Sequence, residues 1–159
     1  MNKRFAIALS AVTWFVMGFA LFALGMKMIL RSAHTFDLPN GGTFPLLGTL
    51  SLALGGKDYA VVAIVAAALF VGRMKGVYVL QKRARKIAER IKGLEEPISA
   101  GRLYTPSYFA LIGAMMLLGV AMNLFNLVSD VRGLIDLTVG TALIHGAIAY
   151  RAELFKSSS

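Results

Sequence analysis

Residues 5–26, FAIALSAVTWFVMGFALFALGM, decide the fold. The run is 22 residues long and carries no charge, enough for a helix to cross a hydrocarbon core of about 30 Å. Lys3 and Arg4 precede it, and Lys27 and Arg31 close it, four apart on one face. The run is about twice the length of a signal-peptide core, and LRSAH is a poor cleavage site. The expectation is a retained first transmembrane helix over approximately 5–30. Within it Ala11, Gly18, Gly25 and Ser32 recur every seven residues, a small-residue heptad that lets a second helix approach closely.

Composition agrees. Of 159 residues, 57% are hydrophobic and only 16% are charged, a balance typical of helical membrane proteins and rare in soluble domains. The chain has no cysteine, which excludes disulfides, thiolate metal sites and cysteine redox chemistry. Seventeen basic against eight acidic side chains give +9. Because the basic residues cluster beside apolar runs, the partner they imply is anionic lipid and not nucleic acid.

Farther along, His34–Gly42 (HTFDLPNGG) is the clearest loop signal, with Pro, Asn and paired Gly together. Thr43–Leu54 is apolar but too short to cross a membrane, and it contains Pro45, Gly48, Thr49 and Ser51. Within an external loop over 32–58 it suits a re-entrant or interfacial segment, or equally a half-buried loop capping the bundle. The second span is expected at 59–80. Its Gly72 and Gly76 form a G-x-x-x-G, and Arg73 and Lys75 are placed to snorkel toward phosphates. The helix then continues as a basic amphipathic one over 77–93. Val77, Leu80, Ala84, Ile87 and Ile91 lie on one side of it, and Lys82, Arg83, Arg85, Lys86, Arg90 and Lys92 cover the rest. Arg73, Lys75, Lys82, Arg83, Arg85 and Lys86 are the candidate lipid-binding residues.

A third span is expected at 107–128, opened by Pro106 between interfacial Tyr104 and Tyr108, and a fourth at 133–150. The SDVRG turn between them, residues 129–133, predicts an antiparallel hairpin. The segment from Arg73 to Arg102 holds nine Lys and Arg, and both termini add more. Positive-inside therefore predicts cytoplasmic termini and two external connections. Ala68–Gly72 resembles Ala142–Gly146, and Phe5–Ile7 resembles Phe109–Leu111, as a parallel duplication of one hairpin would produce. The fold class is an all-α integral membrane protein of four spans with a basic surface helix after the second, in one domain over 1–159.

Gly119, Asn123, Asn126 and Asp130 are spaced four, three and four apart. On one helix they fall within about 60° of each other. Thr138, Thr141 and His145 fall within about 60° on the fourth span. Two polar faces in a hairpin predict either an outward vestibule for an ion or small polar solute, or helix-to-helix hydrogen bonding. In the second case Asp130 pairs with Lys27, Arg31 or Arg132. Asp136 lies on nearly the opposite side of the fourth span and completes the candidate ion-pairing set. No His/Asp/Glu cluster has metal spacing and no Ser/His/Asp set is credible, so the expectation is a non-enzyme without cofactor or metal. Two function classes stay open: a small homo-oligomeric channel or transporter, and a scaffold or accessory subunit whose basic helix docks anionic lipid or a partner protein.

The segment Lys75-Gly76-x-x-Val79-Leu80-x-Lys82-x-Ala84-Arg85, with Arg132-Gly133 and Gly140-x-Ala142-Leu143-Ile144-x-Gly146, resembles small bacterial four-span membrane proteins of unknown function. The resemblance covers mainly the second and fourth spans. It implies a bacterial inner-membrane location and supplies no activity. The chain does not resemble small multidrug exporters, since the first span lacks an acidic residue.

Overall fold

A computed structural model describes residues 3–38, 43–82, 85–86, 89, 113 and 117–156. Among them the chain is helical and contains no strand. The elements are α1 (Lys3–Phe36), α2 (Pro45–Leu54), α3 (Lys57–Lys75), a π-helical turn (Gly76–Leu80) and α4 (Ser129–Lys156). Helices are the expected solution for apolar segments of this length, because only internal hydrogen bonding satisfies the backbone away from water. Among the described residues three stretches are long and apolar enough to cross a membrane: Ile7–Phe36, Lys57–Leu80 and Ser129–Ala149.

The hub is α4. Half of its apolar window is buried, against 17% for α1 and 28% for α3. One side of α4 takes α1 and another takes α3. The two contacts run in opposite senses. Gly18 of α1 lies against Gly140 and Gly25 against Gly133, so numbering rises on one helix as it falls on the other and the pair is antiparallel. Gly72 lies against Thr138 and Thr141, and Gly76 against Ala142 and His145, so α3 and α4 are parallel.

The α1–α4 contact is a meeting of backbones. A Cβ placed on Gly25 would fall 2.5 Å from the Leu137 nitrogen and 2.7 Å from the Gly133 oxygen. One placed on Gly140 would fall 2.5 Å from the Phe22 nitrogen and 2.7 Å from the Gly18 oxygen. The relation is reciprocal, since Gly18 meets the Gly140 oxygen and Gly133 meets the Gly25 oxygen. Each glycine methylene therefore faces a partner carbonyl, a geometry in which Cα–H···O contacts contribute about 0.5–1 kcal/mol each. The expected heptad on α1 is thus used as a contact stripe, and buried Ser32 continues it. Its counterpart on α4, Gly133, Gly140 and buried Ala147, has the same seven-residue spacing.

Several boundaries differ from expectation. Lys27 and Arg31 do not close α1, which runs on to Phe36. Beyond Lys27 the helix still buries Ile29 and Ser32 and packs Ala33 and Phe36 on a core of Ile29, Leu47, Ala60, Ile64, Ala68 and Leu137. SDVRG is not the turn. The turn falls at 125–128, and Ser129 already begins α4. Of the expected third span, 107–112 and 114–116 lie outside the described residues, while 113 and 117–124 are helical. Of the expected surface helix, 81–82, 85–86 and 89 are helical, and Arg83, Ala84, Ile87, Ala88 and 90–93 lie outside the described residues.

α2 is a helix of ten residues, about 15 Å long and too short to span. It begins on Pro45, ends on left-handed Gly55 at φ 77°, and buries Leu47 completely. Pro45–Leu54 is thus a short helix packed on α3, α4 and α1, where one of the two expectations had a capping loop.

Glycine substitutions separate contact from open surface. Gly25→Ala is expected to lower stability by about 3 kcal/mol, as an overpacked backbone contact does. Gly119→Ala, with no described residue within 4 Å of the added Cβ, should change it by less than about 0.5 kcal/mol. Unfolding curves in mixed micelles measure both; equal losses would contradict the proposed contact.

Candidate functional site

Among the described residues Asp130 combines complete burial with three backbone hydrogen bonds. It is fully buried, and its Oδ2 accepts hydrogen bonds from the Leu46 nitrogen at 2.9 Å and the Leu47 nitrogen at 3.2 Å. Its Oδ1 accepts from the Val131 nitrogen at 2.8 Å. Leu46 and Leu47 are the second and third residues of α2, where the N–H groups have no partner within their own helix. Pro45 ahead of them has no N–H to satisfy, and Phe44, at the N-cap, offers no side-chain acceptor. A carboxylate 83 and 84 residues downstream does the capping. Charge favours the arrangement as well, since the N-terminal ends of α2 and α4 both present positive dipole ends to the carboxylate. The expected pairing with Lys27, Arg31 or Arg132 is not made. Lys27 and Arg31 are exposed, and the ion pair among the described residues joins Lys57 to Asp37.

Asn126 also departs from expectation. Its φ is +47°, the left-handed region that Asn tolerates better than most residues. The Asn126 nitrogen donates to the Asn123 oxygen and the Leu127 nitrogen to the Met122 oxygen. These two bonds define a Schellman ending with Asn126 at the first position past the helix. The polar stripe is therefore broken: Gly119 and Asn123 lie on one helical segment, Asn126 ends it, and Asp130 belongs to α4. Asn123 and Asn126 are exposed while Asp130 is buried. The structure does not gather these three around one space.

Thr138, Thr141 and His145 do share one face of α4, and that face is turned toward α3. A Cβ on Gly72 would fall 2.6 Å from the Thr138 oxygen and 2.7 Å from the Thr141 Cβ. One on Gly76 would fall 2.7 Å from the His145 Cβ. The hydroxyls are satisfied within their own helix, Thr138 donating to the Leu134 oxygen and Thr141 to the Leu137 oxygen. Thr13, Thr35, Thr49 and Ser51 bond back in the same way, the usual resort of hydroxyls on apolar helices. His145 Nδ1 is 2.9 Å from the Thr141 oxygen. A carbonyl only accepts, so Nδ1 carries the proton and Nε2 keeps a lone pair when the ring is neutral. The turn facing His145 is the π-helical one, where the Gln81 nitrogen reaches back to the Gly76 oxygen.

Asp136 is nearly buried and lies within range of the Arg132 charge, one helical turn away, without forming an ion pair among the described residues. Ser32 Oγ and Arg132 Nε are buried and unpartnered among the described residues. Among those residues no three His, Asp or Glu side chains gather to hold a metal.

At the opposite end of α3, Arg73, Lys75, Lys82, Arg85 and Lys86 are all exposed; Arg83 lies outside the described residues. Val77, Gln81, Lys82, Arg85, Lys86 and Glu89 line a groove of about 510 Å³.

The Asp130 contact predicts a graded response. Asp130→Ala should cost about 2 kcal/mol by leaving two buried N–H groups without an acceptor, and Asp130→Asn, which keeps one acceptor oxygen, about half of that. Amide exchange at Leu46 and Leu47 reads the effect directly; unchanged protection in the alanine variant would contradict the cap. At Asn126, glycine should be tolerated, whereas valine should cost about 1–2 kcal/mol because a β-branched residue resists left-handed geometry. Thermal unfolding of the two variants in detergent compares them, and equal midpoints would count against the turn.

No family model, curated protein or solved structure matches this chain, so the reading of these groups rests on their geometry.

Proposed function

We propose that the chain is a four-span inner-membrane protein with cytoplasmic termini, acting as a non-catalytic scaffold or accessory subunit whose basic segment after α3 docks anionic lipid. Parallel α3 and α4 support the fourth crossing. If both span, α3 ends on one membrane face and α4 begins on the other, so the connection between them must return across. The apolar stretch 107–128 is the part of that connection suited to it.

The observation that carries the docking reading is the cation set. Arg73, Lys75, Lys82, Arg85 and Lys86 are exposed together where an apolar span gives way to a polar helix. Cations at that depth each contribute about 1 kcal/mol toward anionic lipid. The α1–α4 and α3–α4 seams, by contrast, close on glycine backbone, and the threonines between them bond to their own helix. The polar groups of α4 thus serve packing in this reading.

Transport is the second reading, and one observation favours it. Asn123 is exposed, and Gly119, one turn earlier, has no described residue over it. A second copy seated on this face would let an amide meet a polar partner in a homo-oligomeric path.

Two measurements divide the readings. Thermal midpoints of purified protein should rise with added phosphatidylglycerol but not with phosphatidylcholine. Neutralising Arg73, Lys75, Lys82, Arg85 and Lys86 to Gln should abolish the rise; an undiminished response would overturn lipid docking. Asn123→Cys should stay inert to a membrane-impermeant thiol reagent under the scaffold reading, and rapid labelling that a permeant solute blocks would favour transport instead.

A further inference from the structure

We infer that the π-helical turn Gly76–Leu80 is a register joint. One extra residue stored in it rotates the helix beyond, so that Leu80 meets α4 while Lys82, Arg85 and Lys86 face away. The buried residues of α3 and the turn form a ladder at every fourth position: Ala60, Ile64, Ala68, Gly72 and Gly76. A four-residue step overshoots a 3.6-residue turn by about 40°, so the ladder drifts around the helix as it climbs. Let the Gly72 side mark the line toward α4. An unbroken helix would then carry Val79 to within about 20° of that line and leave Leu80 about 80° off it. Gln81 would lie opposite α4, and Lys86 and Lys82 would lie about 40° and 80° from the line.

The structure has the opposite pattern. Leu80 is half-buried, with its Cβ 3.3 Å from where a Cβ on Gly146 would lie. Val79 is exposed and Gln81 is half-buried. An i→i+5 turn, closed here by the Gln81 nitrogen on the Gly76 oxygen, holds one residue more than an α turn. Everything beyond it therefore lags by about 100°. That lag returns Leu80 to within about 20° of the α4 line. It also gathers Lys82, Arg85 and Lys86 into an arc of about 100° on the far side, where all three are exposed. Without the lag, Lys82 and Lys86 would turn inward and Val79 would take the place where Leu80 packs. Gly76 holds the joint against α4, since the Ala142 oxygen and the His145 Cβ leave no room for a side chain there.

A stored residue can be removed. Deleting exposed Tyr78 should convert the turn to ordinary helix and leave the faces on both sides of it where they are. Deleting exposed Ala66 from the α-helical part of α3 should instead turn one half of its face off α4. The chain has no cysteine and a single tryptophan. A bimane label on Leu80→Cys, beside the Trp14 ring, therefore reads the register through quenching by Trp14, and a label on Val79→Cys is the outward control. In the full chain in mild detergent, the Tyr78 deletion should keep the quenching at Leu80→Cys and lower the thermal midpoint less than the Ala66 deletion. Equal losses from the two deletions, unfolding included, overturn the joint, as does quenching that moves to Val79→Cys. The rise of the midpoint with phosphatidylglycerol should persist in the Tyr78 deletion, because the cations keep their aim. Its loss in a variant that keeps the quenching overturns that aim. No rise in the unaltered chain overturns the lipid reading above, and the quenching still decides the joint.

Discussion

The structure depends on how closely α1 and α4 approach. In lipid, apolar side chains gain little by leaving one hydrocarbon for another, so helices associate through packing and polar contact. Glycines at matched seven-residue intervals let the two backbones touch along Gly18–Gly140 and Gly25–Gly133. The G-x-x-x-G of α3 then lays Gly72 and Gly76 on the adjoining face of α4. Farther along the same seam the Trp14 ring and Leu80 lie where a Cβ on Gly146 would be. Both long helices that pack along α4 therefore do so over glycine, and α4 in turn can use short side chains where a looser bundle would need large ones.

That economy explains where polarity is allowed. Hydroxyls on α4 can face α3 because each returns its proton to a carbonyl one turn earlier, leaving an apolar outer surface to pack. Asp130 follows a different rule. It cannot satisfy itself, and it sits fully buried because three backbone N–H groups converge on it. Two of them come from α2, so the same carboxylate that costs free energy to bury also anchors a helix too short to hold its own place.

Much of this was legible in the sequence. Charge-free run length locates α1 and α3, and the glycine spacings at 18 and 25 and at 72 and 76 identify the two seams. Periodicity misled at the turn that precedes α4. At 100° per residue Asn123, Asn126 and Asp130 line up, but the alignment assumes an unbroken helix, and Asn126 is one of the few non-glycine residues that ends helices by turning left-handed. Asp130 as a cap had no local signature, since its partners lie more than eighty residues away. The one hint was negative: a helix opening on Pro45 behind Phe44, with no Ser, Thr, Asp or Asn at the cap. The seven-residue spacing of Gly133, Gly140 and Ala147 was there to be read as the partner of the α1 stripe.

The distance between α2 and its cap bears on how the chain is built. Translation delivers Leu46 and Leu47 long before Asp130, so during synthesis the first loop waits with two amides uncommitted while α3 is made. Only arrival of the start of α4 gives them an acceptor, and the same residues bring the glycines that dock on α1. Completion of the loop and closure of the bundle are thus one event, reached near the end of the chain. A ribosome that stalls before residue 130 leaves an intermediate whose first amides of α2 still exchange with water, a built-in mark of an unfinished molecule.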